Sequence, residues 1–263
     1  ARDEAEALEE ALRSRLADPS PHLEFILVND RSRDDTGAIM DAIALEDSRV
    51  QVIHLDTLPE GWLGKVHAQS AGAEAARGDW LLFSDADVHV QEGLVHRARS
   101  WAQHQEADHV ALVPRLVRGP LLLRMALPAM MLVLMSALRL WQTNDDDSDA
   151  AMGVGAFNLV SRRALEGAGG MKALRMEIAD DVGLGLIIKE AGYRSRLAVA
   201  PEALQVEWYR STRDFLAGME KGAAKAGGRL RLAWRAFLFL GLGLLLVSPV
   251  GLRWPRYIRS LDY

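Results

Sequence analysis

The chain has 263 residues, of which 49% are hydrophobic and 25% are charged, and it contains no cysteine. The apolar fraction excludes wholesale disorder, and the lack of thiols excludes disulfide scaffolds, thiolate zinc sites and a cysteine nucleophile. A net charge of −5 is a poor electrostatic footprint for a dedicated nucleic-acid binder, so we expect no nucleic-acid partner.

The first half of the chain alternates predicted helices and strands. A helix over residues 3–17 carries a leucine at every fourth position and stops at Asp18-Pro19-Ser20-Pro21. Further helices are predicted around 39–43, 65–77 and 91–105, and strands over 23–28, 50–55, 80–84 and 109–113. The first of these strands is apolar enough to be buried on both faces. Strands that alternate with helices predict an α/β fold with a mainly parallel sheet.

The composition changes beyond residue 120. Residues 125–138 form an uncharged run that is too short to span a bilayer, so an interfacial helix and a buried core helix both fit. A second uncharged run, 236–252, is at the short limit for a spanning helix, and we favour membrane insertion or a re-entrant interfacial segment there. Between the runs we predict a flexible acidic connector over 144–149, a strand over 153–160, a helix opened by Asp180-Asp181 and a strand over 197–200.

Acidic residues follow two of the predicted strands. Asp30 comes after the first strand, and Asp85 and Asp87 come after the third. One such residue is more often a turn or helix cap, but two clusters at the same edge of a sheet favour a ligand site, because parallel sheets bind ligands at the carboxyl ends of their strands. In an extended segment the Asp-x-Asp spacing directs both carboxylates to one side, which suits Mg²⁺ or Mn²⁺ shared with substrate phosphates.

Five segments resemble, in the same order, the signature of family 2 glycosyltransferases. They are the strand and loop from Phe25 to Thr36, Leu58-Pro-Glu-Gly-Trp-Leu-Gly-Lys65, Leu81-Leu-Phe-Ser-Asp-Ala-Asp87, Gly153-Val-Gly-Ala-Phe-Asn158 with Ser161-Arg-Arg, and Ala179-Asp-Asp-Val182. The second is similar to a segment of a membrane-associated branch that includes ceramide-glucosyltransferase-like and hopanoid-associated enzymes. The resemblance covers about residues 1–225.

The resemblance implies a GT-A nucleotide-sugar domain over 1–225, within which 120–141 is a candidate interfacial helix, and a membrane-associated C-terminal segment over 226–263. The fold class is then α/β, with a mixed, mainly parallel sheet and interfacial or transmembrane helical segments toward the C-terminus. The implied reaction transfers a sugar from a nucleotide diphosphate sugar, most often a UDP-sugar, to an acceptor hydroxyl with inversion. We expect a lipid or membrane-proximal acceptor, and an enzyme at the membrane with its active site facing the cytoplasm.

The resemblance also implies a role for each matched residue. Asn29, which stands where the family commonly has Asp, and Asp30 would contact the base or ribose; Lys65 would approach the diphosphate; Asp85 would bind the ribose side and Asp87 the divalent metal; Asp181 would be the general base, and Asp180 would orient the acceptor or the base. The cation, Mg²⁺ or Mn²⁺, would neutralise the diphosphate leaving group.

Two alternatives stay open. A nucleotidyltransferase on a similar fold would use the metal but would need no base at Asp181, and a non-catalytic membrane module would bind nucleotide sugar without turnover. Residues Ala1 to Glu4 resemble the tail of the segment that ends the family's first strand, so we also predict that this strand is missing and that a central position in the sheet is vacant.

Overall fold

A computed structural model describes residues 1–116, 132, 135, 136 and 138–206. The α-helices are α1 (Ala5–Leu16), α2 (Thr36–Glu46), α3 (Gly64–Ala75), α4 (Leu94–His104), α5 (Arg162–Gly167) and α6 (Asp180–Glu190). The strands are β1 (Phe25–Asp30), β2 (Val50–Leu55), β3 (Trp80–Phe83), β4 (His89–Val90), β5 (His109–Val113), β6 (Arg115–Leu116), β7 (Asn158–Ser161), β8 (Ser195–Val199) and β9 (Leu204–Val206). Short 3₁₀ helices cover Leu140–Gln142 and Met171–Leu174.

The first strand ends later than its sequence predicts. β1 continues through Asn29 and Asp30, because these residues pair with His54 and Leu55 of the parallel strand β2. Helices cover both faces of β1, but less completely than predicted: Leu27 is buried, whereas Phe25, Ile26 and Val28 are half-buried. The strand predicted over 153–160 begins only at Asn158, and the residues before it form a loop.

The sheets are mixed rather than mainly parallel. Among the described strands, β1–β2, β5–β8 and β6–β9 pair in parallel, whereas β3–β7, β5–β7 and β4–β9 pair antiparallel. The physical reason is the position of β7, which lies between β3 and β5 and runs against both. A parallel crossover would have kept these three strands in one direction, whereas β7 runs opposite to β3 and β5.

The strands β1 and β3 lie in different hydrogen-bonded sheets, β1–β2 and β3–β7–β5–β8. A groove of about 860 Å³ is lined by residues 25–27 of β1 and by Trp80, Leu82 and Ser84 from the β3 side. At one end of β1 the amino group of Ala1 donates to the carbonyl of Val28 at 2.7 Å, and the amide of Asp30 donates to the carbonyl of Ala1 at 2.9 Å. The hypothesis of an absent first strand stays a prediction.

The helices pack their apolar side chains against the sheets in three clusters. Leu8 and Leu12 of α1 pack with Met40 and Ile43 of α2 against β1 and β2. A second cluster places α4 against the four-stranded sheet around the fully buried Phe157. A third joins α3, α5 and α6 on the other face of β3 and β7. This packing fixes the positions of the first turns of α3 and α6 relative to the sheet.

The predicted membrane segments lie largely outside the described part of the chain. Of the run 125–138, residues 132, 135, 136 and 138 are described, and both 236–252 and the predicted C-terminal segment 226–263 fall outside. The same holds for most of the candidate interfacial helix 120–141. Within residues 1–116 and 138–206 and the three isolated positions, no helix combines the length and apolarity needed to cross a bilayer.

The acidic segment 144–149 is anchored rather than a free connector. The ammonium of Lys189 donates to the carbonyls of Thr143, Asp145 and Ala150 at 2.7–3.0 Å. Asn144 exchanges two hydrogen bonds with the backbone of Leu197 on β8. Lys189 of α6 thus binds three backbone carbonyls in and beside this segment, and β8 holds the Asn144 side chain.

Candidate active site

The site is centred on α3, whose first two turns carry a lysine and a glutamine on the same face. Lys65 and Gln69 are four residues apart, so their side chains lie one above the other. Both contact the same carboxylate oxygen of Asp180: the Lys65 ammonium lies 3.3 Å from it and the Gln69 amide donates to it at 2.7 Å. The Asp180 side chain is only 7% exposed, and it begins α6, where the helix dipole favours a negative charge.

Lys65 also reaches the loop that follows β3. Its ammonium lies 3.0 Å from Oδ1 of Asp85, so one cation joins the carboxylates of two distant segments. Burial by itself would lower the pKa of Lys65, but Asp85, Asp180 and Asp181 outweigh it and the pKa is raised. The ammonium therefore stays charged throughout the physiological range.

Asp181 has the surroundings of a general base. Its Oδ2 accepts a hydrogen bond from the amide of Gly155 at 3.0 Å, and its Oδ1 accepts one from the amide of Val182 at 2.9 Å. Burial raises the pKa of Asp181, Asp180 and Asp85 add to the increase, and Lys65 opposes it. A held carboxylate with a raised pKa is better matched to accepting a proton near neutral pH than an ordinary aspartate.

The loop between Gly153 and Gly155 connects the two acidic segments. The Gly155 amide donates to Asp181, and its carbonyl accepts from the amide of Asp85 at 2.9 Å. A Cβ on Gly155 would lie 2.5 Å from Oδ2 of Asp85, and a Cβ on Gly153 would overlap the backbone carbonyl of Asp181. A side chain at either position would collide with an acidic segment, so both positions require glycine. The prediction of a strand over 153–160 gave no indication of this requirement.

Asp85 and Asp87 lie on a turn and not on an extended segment. The guanidinium of Arg15 on α1 donates to the carbonyl of Asp85 and, at 2.9 Å, to that of Val88. Burial lowers the pKa of Arg15 to about 10, against the opposing effect of Asp87 and Asp85. A buried cation thus supports the turn from behind. No local pattern indicates this support, because Arg15 and Asp85 are 70 residues apart.

The acidic turn fits part of a site for a hard divalent cation. Within the described residues, no group of three or more His, Cys, Asp or Glu side chains is placed to hold a metal ion. Asp85 and Asp87 supply carboxylate oxygens on a partly exposed turn. Mg²⁺ characteristically uses one or two carboxylates with substrate phosphates and water. The donor set therefore fits a cation shared with a substrate better than a cage built by protein alone.

Asn29 and Asp30 lie at the carboxyl end of β1. The Asn29 amide nitrogen contacts Nδ1 of His54 at 3.0 Å, and its oxygen accepts the amide of Ser32 at 3.2 Å. Asp30 is 4% exposed and binds both arms of the Arg31 guanidinium at 2.7 and 3.0 Å, which lowers the pKa of Asp30. In this structure both side chains hold the loop that follows β1, and their contact with a nucleotide stays a prediction.

Four of the seven predicted site residues converge through direct contacts or through the Gly155 loop: Lys65, Asp85, Asp180 and Asp181. Asp30 adjoins them, because a Cβ on Gly64 at the start of α3 would lie 2.7 Å from its Oδ2. The sequence interpretation missed Gln69, Arg15 and Gly155. Of these, Gln69 left a usable signal, since it lies one helical turn beyond Lys65.

Comparison with known proteins gives the following matches. A model of the family described as glycosyl transferase family 2 matches residues 1–168. Glycosyltransferase GlyG of Streptococcus pneumoniae is 34% identical over 89 residues, which are 34% of this chain and 28% of that protein. The uncharacterized glycosyltransferase EpsJ of Bacillus subtilis is 33% identical over 103 residues, 39% of this chain and 28% of that protein. The aligned parts thus span little more than a quarter of these relatives.

Two solved structures share the fold. The mannosyltransferase PcManGT from Pyrobaculum calidifontis, in complex with GDP-Man and Mn²⁺, superposes with a TM-score of 0.65 at 17% identity, over 95% of this chain and 79% of that one. TarS 1–349 of S. aureus, in complex with UDP-GlcNAc, gives 0.52 at 14% identity, over 95% and 66%. At these identities the likeness shows the fold alone, and it confirms the α/β, GT-A-like architecture.

Proposed function

Because the chain belongs to the glycosyl transferase family 2, we propose that it transfers a sugar from a nucleotide diphosphate sugar, of the UDP class, to an acceptor hydroxyl with inversion at the anomeric carbon. The observation that carries the proposal is the Asp181 carboxylate, which is held by the Gly155 amide beside the Lys65–Asp85 pair. In this proposal Asp181 takes the proton and Lys65 stabilises the negative charge of the leaving group.

In the proposed reaction Asp181 removes the proton from the acceptor hydroxyl. The oxygen of that hydroxyl forms a bond to the anomeric carbon, the bond from that carbon to the diphosphate oxygen breaks, and its electron pair leaves with the nucleotide diphosphate. The raised pKa of Asp181 supports this role, because it favours the protonated form that the step produces. Asp180 is hydrogen-bonded by Gln69 and would orient the acceptor or the base.

Lys65 stabilises the leaving group in this proposal. Its ammonium bridges Asp85 and Asp180 at 3.0 and 3.3 Å and would turn toward the diphosphate when a donor binds. Asp87 would hold Mg²⁺ or Mn²⁺ and Asp85 would bind the ribose side, and such a cation, when bound, neutralises charge on the departing phosphates. The related fold of PcManGT, which binds GDP-Man with Mn²⁺, supports this assignment. Asn29 and Asp30 would contact the base or ribose.

We extend the proposal to a lipid or membrane-proximal acceptor, as in the ceramide-glucosyltransferase-like and hopanoid-associated branch. Met176 and Ile178 are 59% and 51% exposed, and they lie four and two residues before Asp180. They give the acceptor side of the site an apolar lip, which suits an acceptor with an apolar portion. With the uncharged runs 125–138 and 236–252, this supports an enzyme at the membrane. That its site faces the cytoplasm is part of the same proposal.

The test is a transfer assay with UDP-, GDP- and dTDP-sugars and lipid extracts, with donors first ranked by thermal shift in Mn²⁺. We expect Asp181→Asn to abolish sugar transfer and to keep donor binding, whereas Asp147→Asn, in the exposed part of the acidic loop, should leave both unchanged. Turnover by Asp181→Asn at the wild-type rate would contradict the assignment. Radiolabelled donors separate the alternatives: nucleotide in the product means a nucleotidyltransferase, and binding without transfer means a non-catalytic module.

The metal and acceptor assignments need their own variants. Asp87→Ala should remove the dependence on Mn²⁺ or Mg²⁺ along with activity, and an unchanged metal dependence would reject the role of Asp87. The double variant Met176→Ser/Ile178→Ser should raise KM for a lipid acceptor more than KM for the donor. Leu45→Ser, at the 91% exposed position on α2, is the matched control. Equal effects of the two surface changes would count against an apolar acceptor at this lip.

A further inference from the structure

A hydrogen-bonded chain of buried side chains lies behind Asp181. His109 of β5 is fully buried, its Nδ1 is 2.8 Å from Oγ of Ser195 on β8, and its Nε2 is 2.5 Å from Oδ1 of Asn158 on β7. Burial lowers the pKa of His109 to about 4, with Asn158 opposing the decrease, so the imidazole is neutral at physiological pH. The proposed reaction uses none of these three side chains directly.

The donor and the acceptor of each hydrogen bond in this series can be assigned by starting from its contact with Asp181. The amide nitrogen of Asn158 donates to the backbone carbonyl of Asp181 at 3.2 Å, so the amide oxygen must face His109. Nε2 of His109 therefore carries the proton, and Nδ1 accepts from the Ser195 hydroxyl. Because a neutral imidazole has one donor and one acceptor, all of its hydrogen-bonding capacity is used.

Two contacts from outside α6 thus hold Asp181. Asn158 binds its backbone carbonyl, and Gly155 binds its carboxylate. We propose that Asn158 and His109 are positioning residues, which fix the backbone of Asp181 at the start of α6 so that its carboxylate stays on the Gly155 amide and faces the acceptor. This inference rests on the proposed role of Asp181 as the base.

A buried histidine also contributes to core packing, so the test must separate positioning from stability. His109→Leu removes the donor to Asn158, whereas His109→Gln supplies an amide donor near the Nε2 position. Val110→Ala, at the next and equally buried position of β5, is a matched core change without this contact. Asn158→Asp keeps the acceptor for His109 and removes the donor to Asp181, which provides a second route if His109→Leu does not fold.

Two readouts are measured on the full chain. The first is hydrogen exchange of the Gly155 amide, which does not depend on turnover: we expect about tenfold faster exchange in His109→Leu and in Asn158→Asp, and recovery in His109→Gln. The second is kinetics per folded molecule: we expect kcat to fall about tenfold while the donor KM changes less than about twofold, because Lys65 and Asp85 are untouched. Val110→Ala should lower the melting temperature without either effect.

The proposal is overturned if His109→Leu or Asn158→Asp matches Val110→Ala in Gly155 exchange and in kcat. It is also overturned if His109→Gln fails to recover either readout. If the wild-type chain transfers no sugar from any donor, the proposed function fails. Exchange of the Gly155 amide then still decides whether His109 and Asn158 position Asp181.

Discussion

Alanine at position 155 would place a methyl group where the two acidic segments meet. The added Cβ lies 2.5 Å from Oδ2 and 3.3 Å from Cγ of Asp85, and 3.5 Å from Oδ2 of Asp181. The first two distances are too short, and the third is an ordinary van der Waals distance. Asp85 must therefore turn away, and its carboxylate leaves the Lys65 ammonium, while the hydrogen bond from the Gly155 amide to Asp181 can persist.

The geometry indicates a small change in stability and a large change in rate. Asp85 and Lys65 are 43% and 49% exposed, so their ion pair contributes about 1 kcal/mol or less to the free energy of unfolding. Removing a charge-assisted hydrogen bond from the transition state costs about 1.5–3 kcal/mol, which lowers kcat/KM for the donor about 10- to 150-fold. Steady-state transfer kinetics and urea unfolding measure the two quantities separately.

A double-mutant cycle with Asp85→Ala tests the cause. If Gly155→Ala acts by displacing the Asp85 carboxylate, it should have little further effect once that carboxylate is gone. Additive decreases in kcat/KM would refute the reasoning, and so would a Gly155→Ala variant with wild-type activity. A decrease of several kcal/mol in stability would show instead that the loop, and not Asp85, yields to the methyl group.

The same geometry gives three further expected outcomes. Since burial raises the pKa of Asp181 and the base acts when deprotonated, kcat should increase with pH through a midpoint above the ordinary aspartate range near about 4; a midpoint at or below that range in a pH–rate profile would contradict the assignment. Lys65→Met should lower kcat/KM for the donor about tenfold or more. It should also move the midpoint of the pH–rate profile to higher pH, because Lys65 lowers the pKa of Asp181, whereas Lys65→Arg should leave that midpoint unchanged. Gly153→Ala should destabilise the fold by about 1–3 kcal/mol in urea unfolding, because its Cβ overlaps the carbonyl of Asp181 and the backbone must shift; an unchanged midpoint of unfolding would disprove that overlap.

Local patterns in the sequence predicted much of the site. Strands β2 and β5 have the predicted bounds, and the helix that carries Asp180 and Asp181 begins where predicted. Lys65 and Asp85 could be placed because the first turn of a helix and the end of an apolar strand are both local features. Their contact could not be derived in the same way, because β2, which precedes Lys65, and β3, which precedes Asp85, lie in different hydrogen-bonded sheets.

The remaining features depend on pairings between distant segments. The antiparallel position of β7, the support of Asp85 by Arg15 and the chain from Ser195 through His109 to Asn158 join residues separated by 49 to 86 positions. Hydrophobic periodicity carries no information about such pairings, since it reports only which face of an element is buried. His109 in particular looks like an ordinary residue of an apolar strand until its partners are seen.

The residues of the site lie on two separate hydrogen-bonded sheets. Asn29 and Asp30 belong to the sheet of β1 and β2, whereas Asp85 and Asp181 are tied to the sheet of β3 and β7. Helix α3 packs on β1 and on the 3₁₀ helix Met171–Leu174, and its Lys65 binds Asp85 and Asp180. Helix α3 therefore connects the part of the site that lies on the β1–β2 sheet with the part that lies on the sheet of β3 and β7.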